Sequence, residues 1–326
     1  MTASLRETLE IWQVAIYFAA MLCAVGASLV FSTAGMASLV EPALALMLFV
    51  TFLQVPLVDL GKALLRVRFL GALTAANFVA IPLLVLALLQ FVPVDPIVRL
   101  GVLMVLLTPC IDYVVTFSHI GRADARLLLA STPMLLLLQM LCLPIYLRVF
   151  LGEEAARLMQ IGPFLHAFLW LIAMPLSLAA LVQFGEKRSQ LLSHLKTGFD
   201  HLPVPSTALV LFLVFAVVVP QMGLALPSAT NVIPVYIAFA IVAPAIGWGI
   251  GRVAGLTVPG VRAIAFSSAT RNSLVILPLA FAVPGAMPLL PAVIVAQTVV
   301  ELVASLVYMK VMPKLGGVEI ATSPQA

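Results

Sequence analysis

The stretch Leu106–Val115, "LLTPCIDYVV", sets a proline, a cysteine and an aspartate in the middle of an apolar run. Pro109 has no amide hydrogen and its ring clashes with the carbonyl one turn back, so a helix through this stretch must kink or break. Backbone groups freed in this way need partners, and inside a bilayer they are tolerated only against protein or a water-filled cavity. A proline by itself can also merely bend a packed helix, as it often does in membrane helices, but Asp112 shifts the balance. A carboxylate near the centre of a spanning helix costs about 2.5–3.5 kcal/mol on insertion scales, and such groups line an interior path or meet a partner.

That the run lies in a membrane follows from composition. Of 326 residues, 63% are hydrophobic and 9% charged, against roughly 25% charged in an ordinary soluble domain. Runs long enough to cross about 30 Å of hydrocarbon, roughly 20 residues each, fall near 11–31, 42–59, 69–91, 98–119, 127–150, 161–184, 206–224, 231–255, 259–284 and 288–312. They lack the period-two alternation of a membrane barrel, so the fold class is all-α. The opening "MTASLRETLEIW" carries both charge signs and no small-residue cleavage site, so the first run reads as a retained span. Connections are short, giving one transmembrane domain over 1–326 with no inserted soluble unit.

Ten spans sort the basic residues. Arg6, Lys62, Arg66, Arg68, Arg122, Arg126, Lys187, Arg188, Lys196, Arg252, Arg262, Lys310 and Lys314 share one side, while Arg99, Arg148 and Arg157 take the other. The positive-inside bias therefore places both termini in the cytoplasm, with the plasma (inner) membrane as the expected location. Because five is odd, a repeat of five helices (about 11–150 and 161–312) re-enters the membrane inverted, an arrangement common in secondary transporters. The fourth span of each half is the polar, interrupted one: "LLTPCIDYVVTFSH" and "AFSSATRNSLVILP". The expectation is two broken helices, the fourth and the ninth, crossing near the midplane, with breaks at Pro109 and Thr270.

Ser267, Ser268, Thr270, Arg271, Asn272 and Ser273 form the densest polar cluster expected inside the membrane. Small hydroxyl residues can pack helices and bond back to carbonyls, but this does not account for Arg271. Either it neutralises Asp112 across the crossing or it snorkels to an interface. Glu301, in the last span, is either a buried group or a solvated one near the cytoplasmic end. Asp112 and Glu301 are the candidate coupling carboxylates.

Cys23, Cys110 and Cys142 are the only cysteines, all in apolar runs, which argues against a disulfide framework and against a structural zinc site. No metal and no cofactor is expected. Free cysteine is usually a small buried apolar residue, and Cys23 and Cys142 are assigned to that role. No G-x-S-x-G, H-E-x-x-H or carboxylate dyad is present, His194 and His201 fall in loops, and His119 beyond Asp112 does not make a catalytic set, so an enzyme is disfavoured. A noncatalytic sensor would not need paired broken helices. The net charge of +4 is spread along loops where topology accounts for it, so nucleic acid is not an expected partner. The expected partners are the bilayer and a small molecule.

Ten spans in two inverted halves with polar fourth and ninth segments resemble the bile acid:sodium symporter superfamily over nearly the whole chain. Within it, "CIDYVVTFSHIGRAD" is most similar to the signature of the Acr-type arsenite efflux permeases: Cys110 and Asp124 keep that interval, Gln139 matches a glutamine of the next helix, and "VVELVASLVY", with Glu301, approaches the motif of the last. There are departures. Ser273 stands where those permeases carry a glutamate, Phe117 and Ser118 replace a Trp-Asn pair, and Leu135 and Leu136 replace Asn-Ser. Against the "E-x-G-x-Q-N" of the sodium-coupled bile acid transporters, Ser267 falls at the glutamate and Arg271 at the glutamine, and a guanidinium there would oppose a monovalent cation by like charge.

The resemblance implies a secondary transporter. The first expectation is proton-coupled efflux of arsenite or antimonite, with Cys110 engaging the arsenic and Asp112, Arg271, Asn272 and Ser273 around it. The alternative is a sodium- or proton-coupled carrier of a small organic anion, whose carboxylate meets Arg271 and the amide ends of the broken helices.

Overall fold

A bilayer forces each spanning segment to satisfy its own backbone, and the chain answers with helices. The computed structural model describes residues 5–54, 66–111, 113–156, 162, 165–166, 169–186, 189–221, 223, 225–281, 283 and 285–316. Asp112, Lys62, Arg157, Lys187 and Arg188, which carried sequence expectations, lie outside the described residues.

In chain order the helices are α1 (Leu5–Val30), α2 (Ala37–Gln54), α3 (Val67–Leu89), α4 (Pro96–Leu106), α5 (Val114–Ile120), α6 (Ala125–Ala156), α7 (Leu169–Gly185), α8 (Gln190–Phe199), α9 (Pro203–Val218), α10 (Leu226–Val253), α11 (Val258–Ala269), α12 (Ser273–Phe281) and α13 (Leu289–Val311). Among the described residues 7 helices are long and apolar enough to cross a membrane. Two more, α4 and α7, are apolar but shorter. The outward faces carry exposed Leu22, Leu29, Leu141, Ile145, Leu181 and Ile241, the surface expected where the solvent is lipid. The protein is a multi-pass membrane protein.

Local chemistry sets several of the ends. Pro96 occupies the first turn of α4, where its missing N–H is no loss, and Asp95 Oδ1 accepts from Ile97 N (2.8 Å) and Val98 N (3.1 Å). Asp124 caps α6 by accepting from Leu127 N at 3.1 Å. Within α3, residues Ala76–Ala80 widen into a π turn, and the side chain of Asn77 in that turn donates back to Leu73 O at 3.1 Å.

The helices pack in two groups. α1, α2, α7 and α9 pack on one another; α3, α10, α11 and α13 form the second, with α4 and α12 against α13. In the second group α10 and α11 approach closely through Gly247 and Gly251. A Cβ on Gly247 would lie 2.5 Å from Ser268 Oγ and 2.9 Å from Ala265 Cα, so glycine is what lets these backbones meet. Arg262, which the charge pattern places among the cytoplasmic basic residues, is buried and donates to Arg122 O, Pro313 O and Leu315 O, fastening the loop before α6 and the end of α13 to α11.

Candidate functional site

The chain leaves helical geometry between Leu106 and Val114 and again between Ala269 and Ser273. The two gaps touch. Pro109 and Arg271 form an antiparallel bridge, with Cys110 N donating to Thr270 O (3.1 Å) and Asn272 N to Thr108 O (2.8 Å). Pro109 therefore does more than bend a continuous helix. Thr270, extended at φ −105°, ψ 138°, ends α11, and its hydroxyl bonds back to Phe266 O at 2.9 Å.

Following each backbone group explains the rest of the site. In an unbroken helix Cys110 N would donate to Leu106 O, Arg271 N to Ser267 O and Asn272 N to Ser268 O. Here Cys110 N and Asn272 N cross to the opposite strand, and Arg271 N donates to Glu301 Oε2 at 2.7 Å. Three carbonyls lose their helical donors, and a buried carbonyl without a partner is costly. All three point at one guanidinium: Arg271 Nη2 donates to Ser267 O (2.5 Å) and Ser268 O (2.8 Å), and Nη1 to Leu106 O (3.4 Å). Nη2 also meets Asn77 Oδ1 at 2.8 Å, and Asn77 is oriented by its own donation to Leu73 O and Ser267 Oγ. The Phe239 ring lies 5.5 Å from the guanidinium carbon. Arg271 is 0% exposed, so it does not snorkel.

Glu301 is also buried, at 2% exposed, and is not a solvated end residue. Its carboxylate accepts from three donors: Arg271 N, Gln297 Nε2 (2.5 Å) and Tyr113 Oη (2.8 Å). Glu301 thus joins α13 to both gaps, through the backbone of one and the first residue before α5 in the other. Asn272 caps α12, its Oδ1 accepting from Val275 N at 3.3 Å. Its Nδ2, the Ser273 hydroxyl and Arg271 Nε are buried without a hydrogen-bond partner among the described residues. Both amide atoms of buried Gln139 share that condition.

Cys110 is buried in the hydrophobic cluster, Cys142 is half-buried and Cys23 exposed. Among the described residues no group of His, Cys, Asp and Glu is arranged to hold a metal ion. Asn77, Gln297 and Tyr113 were not singled out from the sequence. Their only advance signal is a polar side chain in an otherwise apolar span.

A polar crevice of ≈ 60 Å³ runs between the first helix group and the first gap with α5. Glu10, Gln13 and Tyr17 of α1, Thr51 and Gln54 of α2, and Asp200, His201 and Thr207 near the start of α9 face Ile111, Tyr113 and Thr116. The volume holds a few waters. Tyr113 links the crevice to Glu301, and Glu301 to the crossing.

Comparison with characterised sequences finds no match among curated proteins. The family model for the sodium bile acid symporters matches residues 41–228, which include the first gap but stop short of the second and of Glu301. With more than half its length matched, the chain belongs to the sodium bile acid symporter family, a family of membrane transporters.

Proposed function

We propose that the protein is a secondary carrier of a small organic anion, coupled to an ion gradient through Glu301. The observation that carries this is a pair of donors without a partner among the described residues, Asn272 Nδ2 and Ser273 Oγ, at the start of the nine-residue helix α12. A helix start presents unsatisfied N–H groups and the positive end of the dipole, so a carboxylate fits there. The Nη atoms of Arg271 are already occupied by protein oxygens, so in this reading Arg271 positions the crossing while Asn272 and Ser273 meet the substrate.

The halves 11–150 and 161–312 are taken as inverted repeats of one transporter domain. In support, α1 and α2 from the first half and α7 and α9 from the second make one helix group, as pseudo-symmetry asks. Rocking of that group against the other across the crevice is the access step, with both termini in the cytoplasm and the crevice open to that side. The site of coupling is Glu301, because it alone among the described carboxylates bonds to the crossing and to a residue lining the crevice. Asp112 remains a second candidate.

Arsenite efflux loses its footing. The matching family is named for bile acid symport, and Cys110 lies within an apolar cluster.

Counterflow in liposomes tests the proposal: purified protein should exchange one or more labelled carboxylates, Ser273→Ala should weaken substrate affinity, and Glu301→Gln should preserve exchange while abolishing uphill uptake. Arsenite exchange that disappears in Cys110→Ser, with no carboxylate exchanged, would overturn it.

A further inference from the structure

The crossing gathers a set of oxygens that has the character of a cation site. Leu106 O, Ser267 O and Ser268 O come from the last turns of α4 and α11, where the dipole is negative and the helical donors have been diverted. Asn77 Oδ1 completes the set. All four are neutral oxygens, and among the described residues no carboxylate lies within ion-pair distance of the guanidinium. Carbonyl ends of broken helices in transporters commonly hold the coupling cation.

The acceptors at one Arg271 nitrogen also outnumber its hydrogens. Nη2 has two hydrogens, yet Asn77 Oδ1, Ser267 O and Ser268 O converge on it at 2.8, 2.5 and 2.8 Å. At least one hydrogen is therefore shared between two oxygens, and the oxygens crowd the positive group as they would an ion.

We propose that the Arg271 guanidinium is a tethered cation occupying, permanently, a site that would otherwise bind a dissociable monovalent ion. It follows that this protein requires no sodium at the crossing and that removing the guanidinium opens a site for sodium or a similar ion. The transport consequence rests on the carrier function proposed above; the binding consequence does not.

The test is thermal unfolding of the purified full-length protein at fixed ionic strength in sodium, potassium or N-methyl-D-glucamine chloride. The native protein should unfold at the same temperature in all three. Arg271→Ala should unfold at a lower temperature in N-methyl-D-glucamine and be shifted upward by sodium, or by guanidinium ion at a non-denaturing concentration; Arg271→Gln, which adds an oxygen, should respond to sodium more strongly. Arg271→Lys retains the charge and should be indifferent to sodium, which keeps the proposal open to test if the truncated variants cannot be purified. A sodium-dependent shift of the native protein or of Arg271→Lys, or no response of Arg271→Ala to any of the cations, would overturn it. In liposomes, carboxylate exchange by the native protein should be equal with and without sodium, and a sodium requirement would also overturn it. Failure to exchange any carboxylate would remove the proposed function and leave the unfolding result to stand by itself.

Discussion

The two gaps are broken by different means. The first, after Leu106, contains Pro109 and contributes backbone to the crossing: Leu106 O, Thr108 O and Cys110 N. The second, after Ala269, has no proline and contributes side chains, with Arg271 filling the space between the helix ends and Asn272 starting the next helix. A proline breaks a helix by what it lacks. Arginine and asparagine sustain a break by replacing the bonds that the helix has given up. The crossing therefore depends on the second gap for its stability, although the first is the easier to see.

Loss of the arginine should therefore cost the most. Arg271→Met retains much of the length but removes every donor, leaving Leu106 O, Ser267 O, Ser268 O and Asn77 Oδ1 buried without their partner. Breaking a buried charged network from one side typically destabilises by about 3–5 kcal/mol. Unfolding of the detergent-solubilised protein without sodium should register that loss; an unchanged midpoint would show that the gap stands without its arginine.

Glu301→Ala comes next, because it strands Arg271 N, Gln297 Nε2 and Tyr113 Oη together. A loss of about 2–4 kcal/mol is expected from such orphaned buried donors. Glu301→Gln should recover most of it, since an amide oxygen can serve Arg271 N and Gln297 while the amide nitrogen donates to Tyr113. Equal losses in the two variants would show that shape or charge matters more than these bonds. Tyr113→Phe removes one of the three donors and should cost about 1–2 kcal/mol. Its greater effect should be on coupling, read as lower uphill uptake with exchange retained, because Tyr113 joins Glu301 to the crevice.

How far these features could be read beforehand depends on which kind of signal carries them. Apolar length is additive along the chain, so the membrane class is plain from composition, and Pro109 marks the first gap by itself. The second gap shows as a polar cluster whose purpose depends on what faces it. Asn77 is the instructive omission: a single amide within "TAANFVAIP" gives no hint that a π turn places it beside Ser267 and Arg271, 190 and 194 residues further along. The burial of Glu301 is also a tertiary fact, since a carboxylate in the last span has the same sequence signature whether it meets water or an amide. Bonds between remote helices, unlike helix breakers, leave no local trace.

Replacing Pro109 should matter least of all. Pro109 pairs with Arg271 in a bridge whose hydrogen bonds come from the residues on either side, Thr108 O with Asn272 N and Cys110 N with Thr270 O. In such a pair the bridged residues' own amides point away from the ladder, so the missing N–H of Pro109 is not used by the crossing. Pro109→Ala restores an amide and allows helical geometry, but a rejoined helix would return Cys110 N to Leu106 O, empty Thr270 O and deprive Arg271 of one acceptor. With Arg271 and Glu301 in place, the gap should therefore persist and stability should change by no more than about 1 kcal/mol. Hydrogen exchange at Cys110 and Asn272 should remain as slow as in the native protein. A loss rivaling that of Arg271→Met, or faster exchange at those two amides, would mean that proline holds the crossing open and the arginine merely fills what proline made.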